Sequence, residues 1–519
     1  MDNGFGNWPT MHALRNPARP AFIDGSDGSV LTWRDFEART NSLADALSQH
    51  GVQRGDRVAL LTLNSVAMME IYFAVAKLGA ITVPINLRLS APEVAYVLAD
   101  SGASFAFVSG PMAPLLEAAS SEVASLRTRV TIPVHAERAA GGPNEYEELL
   151  ASGSPERVTR DVSLDDLCVI MYTSGTTGRP KGAMLTHDNF LWNAINIQGF
   201  GAGVSRQDLT LSAAPLFHIG ALGVHTMPLA FFGGATVVME SFTPEGWLDL
   251  AEKHRITVAF NVPAMWAAIA QAESLRTRDL SALTFAVSGG SPCPIVVIKA
   301  MQAAGMAFTE GFGMTETAPI AACLQPEDVL EHAGSIGRPV GSVDFRIVDE
   351  DGRDVPTGEV GELAMRGPNV FVGYWGKPQA TAEAIRGGWF HTGDLGRVDE
   401  EGFYTLVDRK KDMVITGGEN VYPIEVEQVI YEHADVMEVA VTGAPDDKWG
   451  EMIVATVVRR TESTLSEDEL IAWTRERIAG FKTPRRVQFV DALPRNATGK
   501  VLKRELRKQW SGEGSQVTR

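Results

Sequence analysis

Cysteine, positive charge and unbroken apolar runs are what this 519-residue chain has least of. Its three cysteines, Cys168, Cys293 and Cys323, lie far apart and form no CxxC pair. That spacing excludes a disulfide scaffold and a cysteine-built zinc site, and it suits a reducing, cytoplasmic compartment. Lys and Arg number 46 against 64 Asp and Glu, a net charge of −18. Such a field repels phosphate-rich surfaces, so neither general nucleic-acid binding nor adsorption to an anionic membrane is expected. Any polyanionic ligand must be held by a local basic site. The start, Met1-Asp2-Asn3-Gly4, has no basic stretch leading into an apolar run, so no secretory signal is expected.

Residues 209–239 contain no Lys, Arg, Asp or Glu and are long enough to cross a bilayer. They also hold Pro215, Pro228, Gly220, Gly223, Gly233 and Gly234, a density that punctuates a continuous helix. The expected reading is strand, loop, buried helix and strand, with no transmembrane segment.

What is present is the texture of an α/β protein too long for one hydrophobic core. Strand-like runs at 57–62, 80–84 and 105–108 alternate with helical patterns at 67–78 and 90–101. The pattern recurs through 208–262 and 283–287. Alternation of this kind predicts βαβ units on a parallel sheet with helices on both faces. From 334 to 403 the texture changes to short strands with turns at Asp351-Gly352, Thr357-Gly358 and Glu401-Gly402, which predicts an antiparallel subdomain. Residues 480–519 hold ten Lys and Arg against three Asp and Glu. Charge alone leaves two readings open, a solvated tail or a basic surface facing an anionic ligand.

The most informative segment is Tyr172-Thr173-Ser174-Gly175-Thr176-Thr177-Gly178-Arg179-Pro180-Lys181-Gly182, directly after the apolar run 167–171. Its glycines free the backbone to curl, its hydroxyls and N–H groups offer donors to phosphate oxygens, and Lys181 adds a cation. It is not the nucleoside-triphosphatase P-loop, because Arg179-Pro180 interrupts the required Gly-Lys-Ser/Thr run.

This segment resembles the phosphate loop of the adenylate-forming superfamily, which includes acyl-CoA synthetases, peptide-synthetase adenylation domains and firefly-type luciferases. Further matches follow in order: Ala214-Pro215-Leu216-Phe217-His218; Glu310-Gly311-Phe312-Gly313-Met314-Thr315-Glu316; Trp389-Phe390-His391-Thr392-Gly393-Asp394; Asp408-Arg409-Lys410-Lys411-Asp412 with Gly417-Gly418-Glu419-Asn420; and Pro494-Arg495-Asn496-Ala497-Thr498-Gly499-Lys500. The resemblance implies an N-terminal AMP-binding domain (1–408) with two βαβ-layered sheets and a small antiparallel β subdomain. It also implies a hinge at 409–411 carrying Lys411, and a small mobile α+β C-terminal domain (412–519).

By resemblance, ATP is held by Thr173, Ser174, Gly175, Thr176, Thr177 and Lys181, by Gly289, Gly290 and Ser291, and by the run Glu310, Gly311, Phe312, Gly313, Met314 and Thr315. Glu316 is the expected Mg²⁺ ligand, since a hard cation takes carboxylate oxygen and bridges phosphates. Phe312 offers adenine a π-face. Asp394 and Arg409 hold the ribose, and Lys500 stabilises charge on the attacking carboxylate and α-phosphate. His218 is implied to gate or orient at the mouth of an acyl pocket; the plain alternative is a hydrogen-bonded core histidine. The pocket is assigned to His218, Ile219, Gly220, Val224, Val262, Ser288, Gly289 and Pro319. Gly220 falls where aryl-specific relatives often carry an aromatic, leaving room for a long chain. A CoA tunnel is implied at Gly417, Gly418, Glu419 and Trp449, with Lys482, Arg485 and Arg486 near its phosphates.

The implied reaction is AMP-forming ligation of an apolar carboxylic acid, a fatty acid before an aryl acid, to CoA with ATP and Mg²⁺. Rival readings are an adenylating enzyme serving a carrier protein or an amine, a luciferase-like oxidiser, and a non-catalytic nucleotide binder. Intact Lys181, Glu316, Asp394, Arg409 and Lys500 argue against the last. The oligomeric state stays open, a homodimer among the options.

Overall fold

Strands covered by helices on both faces need continuous apolar runs, and Phe105–Ser109, Val258–Asn261 and Phe285–Gly289 are buried along their whole length. The computed structural model describes residues 3–121, 123–173, 179–409, 412–416, 419–446, 448–495 and 501–510, without the side chains of Asp408, Arg409 and Asn420. The described chain divides into two compact units, Met1–Asp344 with Met365–Phe390, and Phe345–Ala364 with His391–Arg519.

The first unit contains two sheets. One has six strands in the order Thr128–Ile132, Phe105–Ser109, Arg57–Leu61, Ile81–Pro84, Leu167–Thr173 and Lys181–Thr186. All neighbours are parallel except the last pair. Helices Val66–Lys77 and Ala91–Ser101 supply the crossovers that parallel pairing demands. The second helix starts at a reciprocal Ser90–Glu93 capping box and stops at Gly102, left-handed at φ 65°. The other sheet runs a parallel series, Phe308–Gly313, Phe285–Gly289, Val258–Asn261, Leu209–Ser212, Ala235–Val238 and Pro20–Asp24, with antiparallel strands at its ends.

The uncharged stretch folds as its punctuation predicts. Strand Leu209–Ser212 leads through a loop into helical turns from Ile219 to Phe232, which Gly233 ends at φ 83°, and then into strand Ala235–Val238. Among the described residues no helix is long and apolar enough to cross a membrane. Periodicity did not reveal a π-helical turn at Leu222–Thr226 inside this helix.

The second unit is built around strands that neighbour one another in the order Asp344–Val348, Gly361–Arg366, Trp389–Val398 and Tyr404–Arg409, the last two antiparallel. Gly352, Gly358 and Gly402, the second residues of the three predicted turns, all take positive φ. A second, mixed sheet is built on the hairpin Val436–Asp446 and Gly450–Arg459, which packs Val441, Ile453, Ala455 and Val457 against helices Pro423–Tyr431 and Glu467–Arg475.

Candidate active site

Strand Leu167–Thr173 ends where the glycine- and threonine-rich loop begins, and the chain returns as Lys181–Thr186 with Thr173 paired to Lys181. The base of the loop is thus clamped by a β-ladder. A third segment joins it: Trp375 N–H donates to the Gly182 carbonyl at 2.8 Å, and Met184 N–H to that of Gly373 at 2.9 Å. This pairing delivers Tyr374 to the loop base. Its hydroxyl donates to Glu316 Oε1 at 3.0 Å, its ring lies 5.2 Å from Lys181 Nζ, and Thr173 Oγ1 stands 3.5 Å from the same carboxylate oxygen. Thr173, Lys181 and Glu316, nominated separately from the sequence, are therefore brought together. Tyr374, which holds two of them, was not nominated; the only signal for it was a pair of aromatics bracketed by Gly373 and Gly376.

Behind this group Asp100 collects donors from three directions. Tyr172 and Tyr96 hydroxyls reach its carboxylate at 2.8 and 3.3 Å, and Lys377 Nζ at 3.0 Å, while Trp375 Nε1–H donates to its carbonyl at 3.1 Å. Tyr96 also donates to the Pro180 carbonyl, and its ring receives the Arg179 guanidinium at 5.3 Å. One carboxylate so braces both flanks of the loop and the Tyr374 segment. Burial and the Asp100 charge both push the Tyr172 phenol up, keeping it a neutral donor.

Glu316 is 6 % exposed, on a 3₁₀ turn Thr315–Thr317. Its own carbonyl accepts from Phe371 N–H, and Asn369 Nδ2–H donates to the carbonyls of Thr317 and Ile320, both at 2.7 Å. Among the described residues no group of three or more His, Cys, Asp or Glu could hold a metal by itself. A lone buried carboxylate with a fixed backbone fits Mg²⁺, which keeps water and substrate phosphate oxygens as its other ligands.

Glycines set the adjoining floor. Ser288 pairs with Glu310 and Gly289 with Gly311 in parallel register. A Cβ on Gly289 would lie 3.0 Å from the Gly311 carbonyl, and one on Gly313 only 1.6 Å from that of Pro319. Gly290, at φ 91°, and Ser291 are exposed, while Phe312, Met314 and Thr315 are half-buried. Glu310 turns inward: its Oε1 accepts from Cys293 N–H at 2.7 Å, and burial pushes its carboxyl up to about 7.

Contacts join some of the segments that carry residues assigned to the acyl pocket. Gly223 abuts Pro319, where a Cβ would come 2.3 Å from the proline Cδ, and Asn193 ties Gly223 to Ile320 through both ends of its amide. Val262 faces Gly290. Ile219, Val224 and Ser288 are buried. His218 is half-buried with its Nε2 enclosed and without a hydrogen-bond partner among the described residues, and desolvation holds its imidazole down at about 4. The opening expected at Gly220 is filled: the Phe260 ring sits where a Cβ on Gly220 would come within 3.0 Å. The sequence reading missed this because the aromatic comes from strand Val258–Asn261, 40 residues on.

In the second unit, Asp394 is 4 % exposed, with its N–H donating to Thr392 Oγ1 at 3.0 Å, and it pairs in register with Arg409. Gly393 allows the bend at φ 72°, and its N–H donates to Glu362. Thr416 pairs with both Glu419 and Gly450, which sets Glu419 and Trp449 on neighbouring chain segments. Arg485 lies 5.1 Å from the Trp449 ring centre. The basic tail is not a free cationic face: Lys482 pairs with Glu425, Arg486 with Glu467, Arg495 with Glu438, Lys503 with Glu427 and Arg507 with Asp412. Ser174, Gly175, Thr176, Thr177, Lys411, Gly417, Gly418, Lys500 and the Arg409 side chain lie outside the described residues.

Comparison with known proteins agrees with this arrangement. The AMP-binding enzyme family matches residues 10–375, and the AMP-binding enzyme C-terminal domain matches 425–500. The chain is 42 % identical to a feruloyl-CoA synthase of Amycolatopsis sp. over 98 % of its length and 99 % of that protein. It is 37 % identical to the long-chain-fatty-acid–CoA ligase FadD13 of Mycobacterium tuberculosis, over 96 % and 97 %. The ATP-bound crystal structure of MatB from Rhodopseudomonas palustris superposes with a TM-score of 0.90 at 32 % identity, covering 99 % of this chain and all of that one. With the clamped loop base, the Glu316 turn and both domains matched nearly end to end, the chain belongs to the AMP-binding enzyme family and is an AMP-forming acid–thiol ligase of the acyl-CoA synthetase type, using ATP, Mg²⁺ and CoA.

Proposed function

We propose that this ligase activates an apolar aromatic carboxylic acid, with CoA as the acceptor. The observation that carries the acyl choice is Phe260 against Gly220 and Gly289, where a Cβ would come within 3.0 and 3.2 Å of its ring. A flat aromatic wall over glycine backbone suits a flat substrate better than a long flexible chain. The feruloyl-CoA synthase relative supports the same choice. No acidic side chain is among the residues assigned to the pocket, which counts against amino acids.

In the first half-reaction a substrate carboxylate oxygen attacks the α-phosphorus and pyrophosphate leaves. Thr173 and Lys181 receive phosphate oxygens, Thr315 orients the α-phosphate, and Phe312 stacks on adenine. Asp394 and Arg409 accept the ribose, and Lys500 offsets charge on the attacking oxygen and the phosphate. Glu316 would hold Mg²⁺, which would supply charge neutralisation for the phosphates. His218, neutral at working pH, orients the acid rather than removing a proton. In the second half-reaction the CoA thiol sulfur attacks the acyl carbon and AMP leaves. Lys411, in the joint 409–411, lets the domain 412–519 exchange Lys500 for the segment of Gly417, Gly418, Glu419 and Trp449.

Pyrophosphate and AMP release across a panel of aryl and alkyl acids, each with and without CoA, tests this. Aryl acids should give CoA-dependent AMP and a thioester. A preference for long alkyl acids overturns the acyl reading; thioester or amide only with a carrier protein or an amine overturns the acceptor.

A further inference from the structure

His225 carries an unspent pair of hydrogen-bonding atoms. It lies on the π-helical turn Leu222–Thr226, is 2 % exposed, and neither ring nitrogen has a partner among the described residues. π turns inside α-helices are rare and cluster at functional sites, because the extra residue re-aims the side chains around it. Together with Thr210, Ser212, Ala221, Thr226 and Phe260, His225 lines a narrow cleft. Two of the lining hydroxyls are already committed: Ser212 and Thr226 pair with each other at 2.5 Å, and Thr226 Oγ1 also lies 2.9 Å from the Ala221 carbonyl. The void totals about 180 Å³ but is so narrow that no water-sized sphere fits, so solvent does not satisfy the imidazole. Burial holds it neutral, with a pKa of about 3, so it presents one donor and one acceptor at any working pH.

The cleft adjoins the residues assigned to the acyl pocket through one side chain. Phe260 lines it, and the same ring packs over Gly220 and Gly289. Glycine at both positions leaves the ring backbone rather than side chains to slide against. A buried polar group without a partner is costly, and chains retain such groups where a ligand completes them.

We propose that His225 is a specificity-determining residue, hydrogen-bonding a hydroxyl or ether oxygen at the far end of an aromatic acid that displaces Phe260. The inference rests on the aryl-acid reading and adds to it the class of substituent. A donor–acceptor group with no other partner discriminates strongly, because an unsubstituted ring leaves it unpaired.

The test compares 4-hydroxycinnamate with cinnamate under saturating ATP and CoA. Wild-type enzyme should favour the hydroxylated acid about 10-fold in kcat/KM, chiefly through KM. His225→Leu should bring that ratio near one, and His225→Gln, which keeps a donor and an acceptor, should restore part of it. Phe260→Ala should raise affinity for 3,4-disubstituted acids relative to cinnamate. Equal losses for both acids in His225→Leu, or no wild-type preference, overturn the proposal. If His225→Leu does not fold, His225→Phe, which keeps a ring but no donor or acceptor, decides: a ratio identical to wild type with 4-methoxycinnamate and 4-methylcinnamate as a second pair also overturns it. Absence of CoA-dependent AMP release with every acid is a different outcome, and it sinks the ligase reading instead.

Discussion

Tyr374→Phe deletes a single oxygen from the site. The hydroxyl donates at 3.0 Å to Glu316 Oε1, while the ring that sits 5.2 Å from Lys181 Nζ stays in place. A hydrogen bond to a charged group contributes about 1.5–3 kcal/mol, against ~1 for a neutral pair. Tyr374 is half-buried, so water recovers part of that loss, and the lower end is the better figure. At about 1.4 kcal/mol per factor of ten, kcat/KM for Mg-ATP should fall roughly 10-fold. The loss should fall mainly on the KM for Mg-ATP, because the hydroxyl sets where the carboxylate waits before nucleotide arrives. Steady-state pyrophosphate release against Mg-ATP at fixed acid reads it directly, and the Tm should move by no more than about 2 °C. Tyr374→Leu, which also removes the ring face from Lys181, should cost a further factor of about 3. An unchanged KM for Mg-ATP in Tyr374→Phe would falsify the idea that this tyrosine pre-sets the metal-binding carboxylate.

Lys500→Ala should cut carboxylate-dependent pyrophosphate release by on the order of 10²–10³, yet leave thioester formation from supplied acyl-adenylate and CoA largely intact; equal loss in both assays removes its assigned role. Gly223→Ala places a methyl 2.3 Å from Pro319 Cδ, a contact neither the helix nor the proline can relax, and should destabilise by about 1–3 kcal/mol in thermal unfolding despite the better helix propensity of alanine. Burial raises the Glu310 carboxyl from 4.5 to about 7, so between those values the folded protein keeps a proton that the unfolded chain releases. This group's contribution is greatest below pH 4.5 and is lost as pH rises through 7, by on the order of 2–3 kcal/mol. Wild-type Tm relative to Glu310→Gln should therefore decline from pH 5 to pH 8, and a constant difference contradicts the shift.

Much of the fold could be read because local chemistry and tertiary role coincide. The βαβ alternation, the Ser90 cap, the glycine turns at 352, 358 and 402 and the punctuated stretch 209–239 are each decided within a dozen residues. Thr173, Lys181 and Glu316 were legible for a different reason, as parts of motifs whose chemistry needs those residue types in that order. What stayed hidden depends on contacts between distant positions. Tyr374 meets Glu316 across 58 residues, and Lys377 meets Asp100 across 277. Phe260 fills the space beside Gly220 from strand Val258–Asn261, so a glycine that suggested a wide pocket instead lies under an aromatic lid. The basic tail could not be resolved from charge alone, since net charge along a sequence is blind to which acids fold back onto it.

That last feature bears on how the second substrate is captured. Lys482, Arg486, Arg495, Lys503 and Arg507 each already own an internal carboxylate counterion, so on the reading that CoA phosphates meet this tail, each would have to outcompete a resident acid rather than condense onto bare cations. Few mobile ions are then set free on association, and the CoA KM should respond only shallowly to ionic strength, in contrast to the steep dependence that a run of ten basic residues by itself suggests.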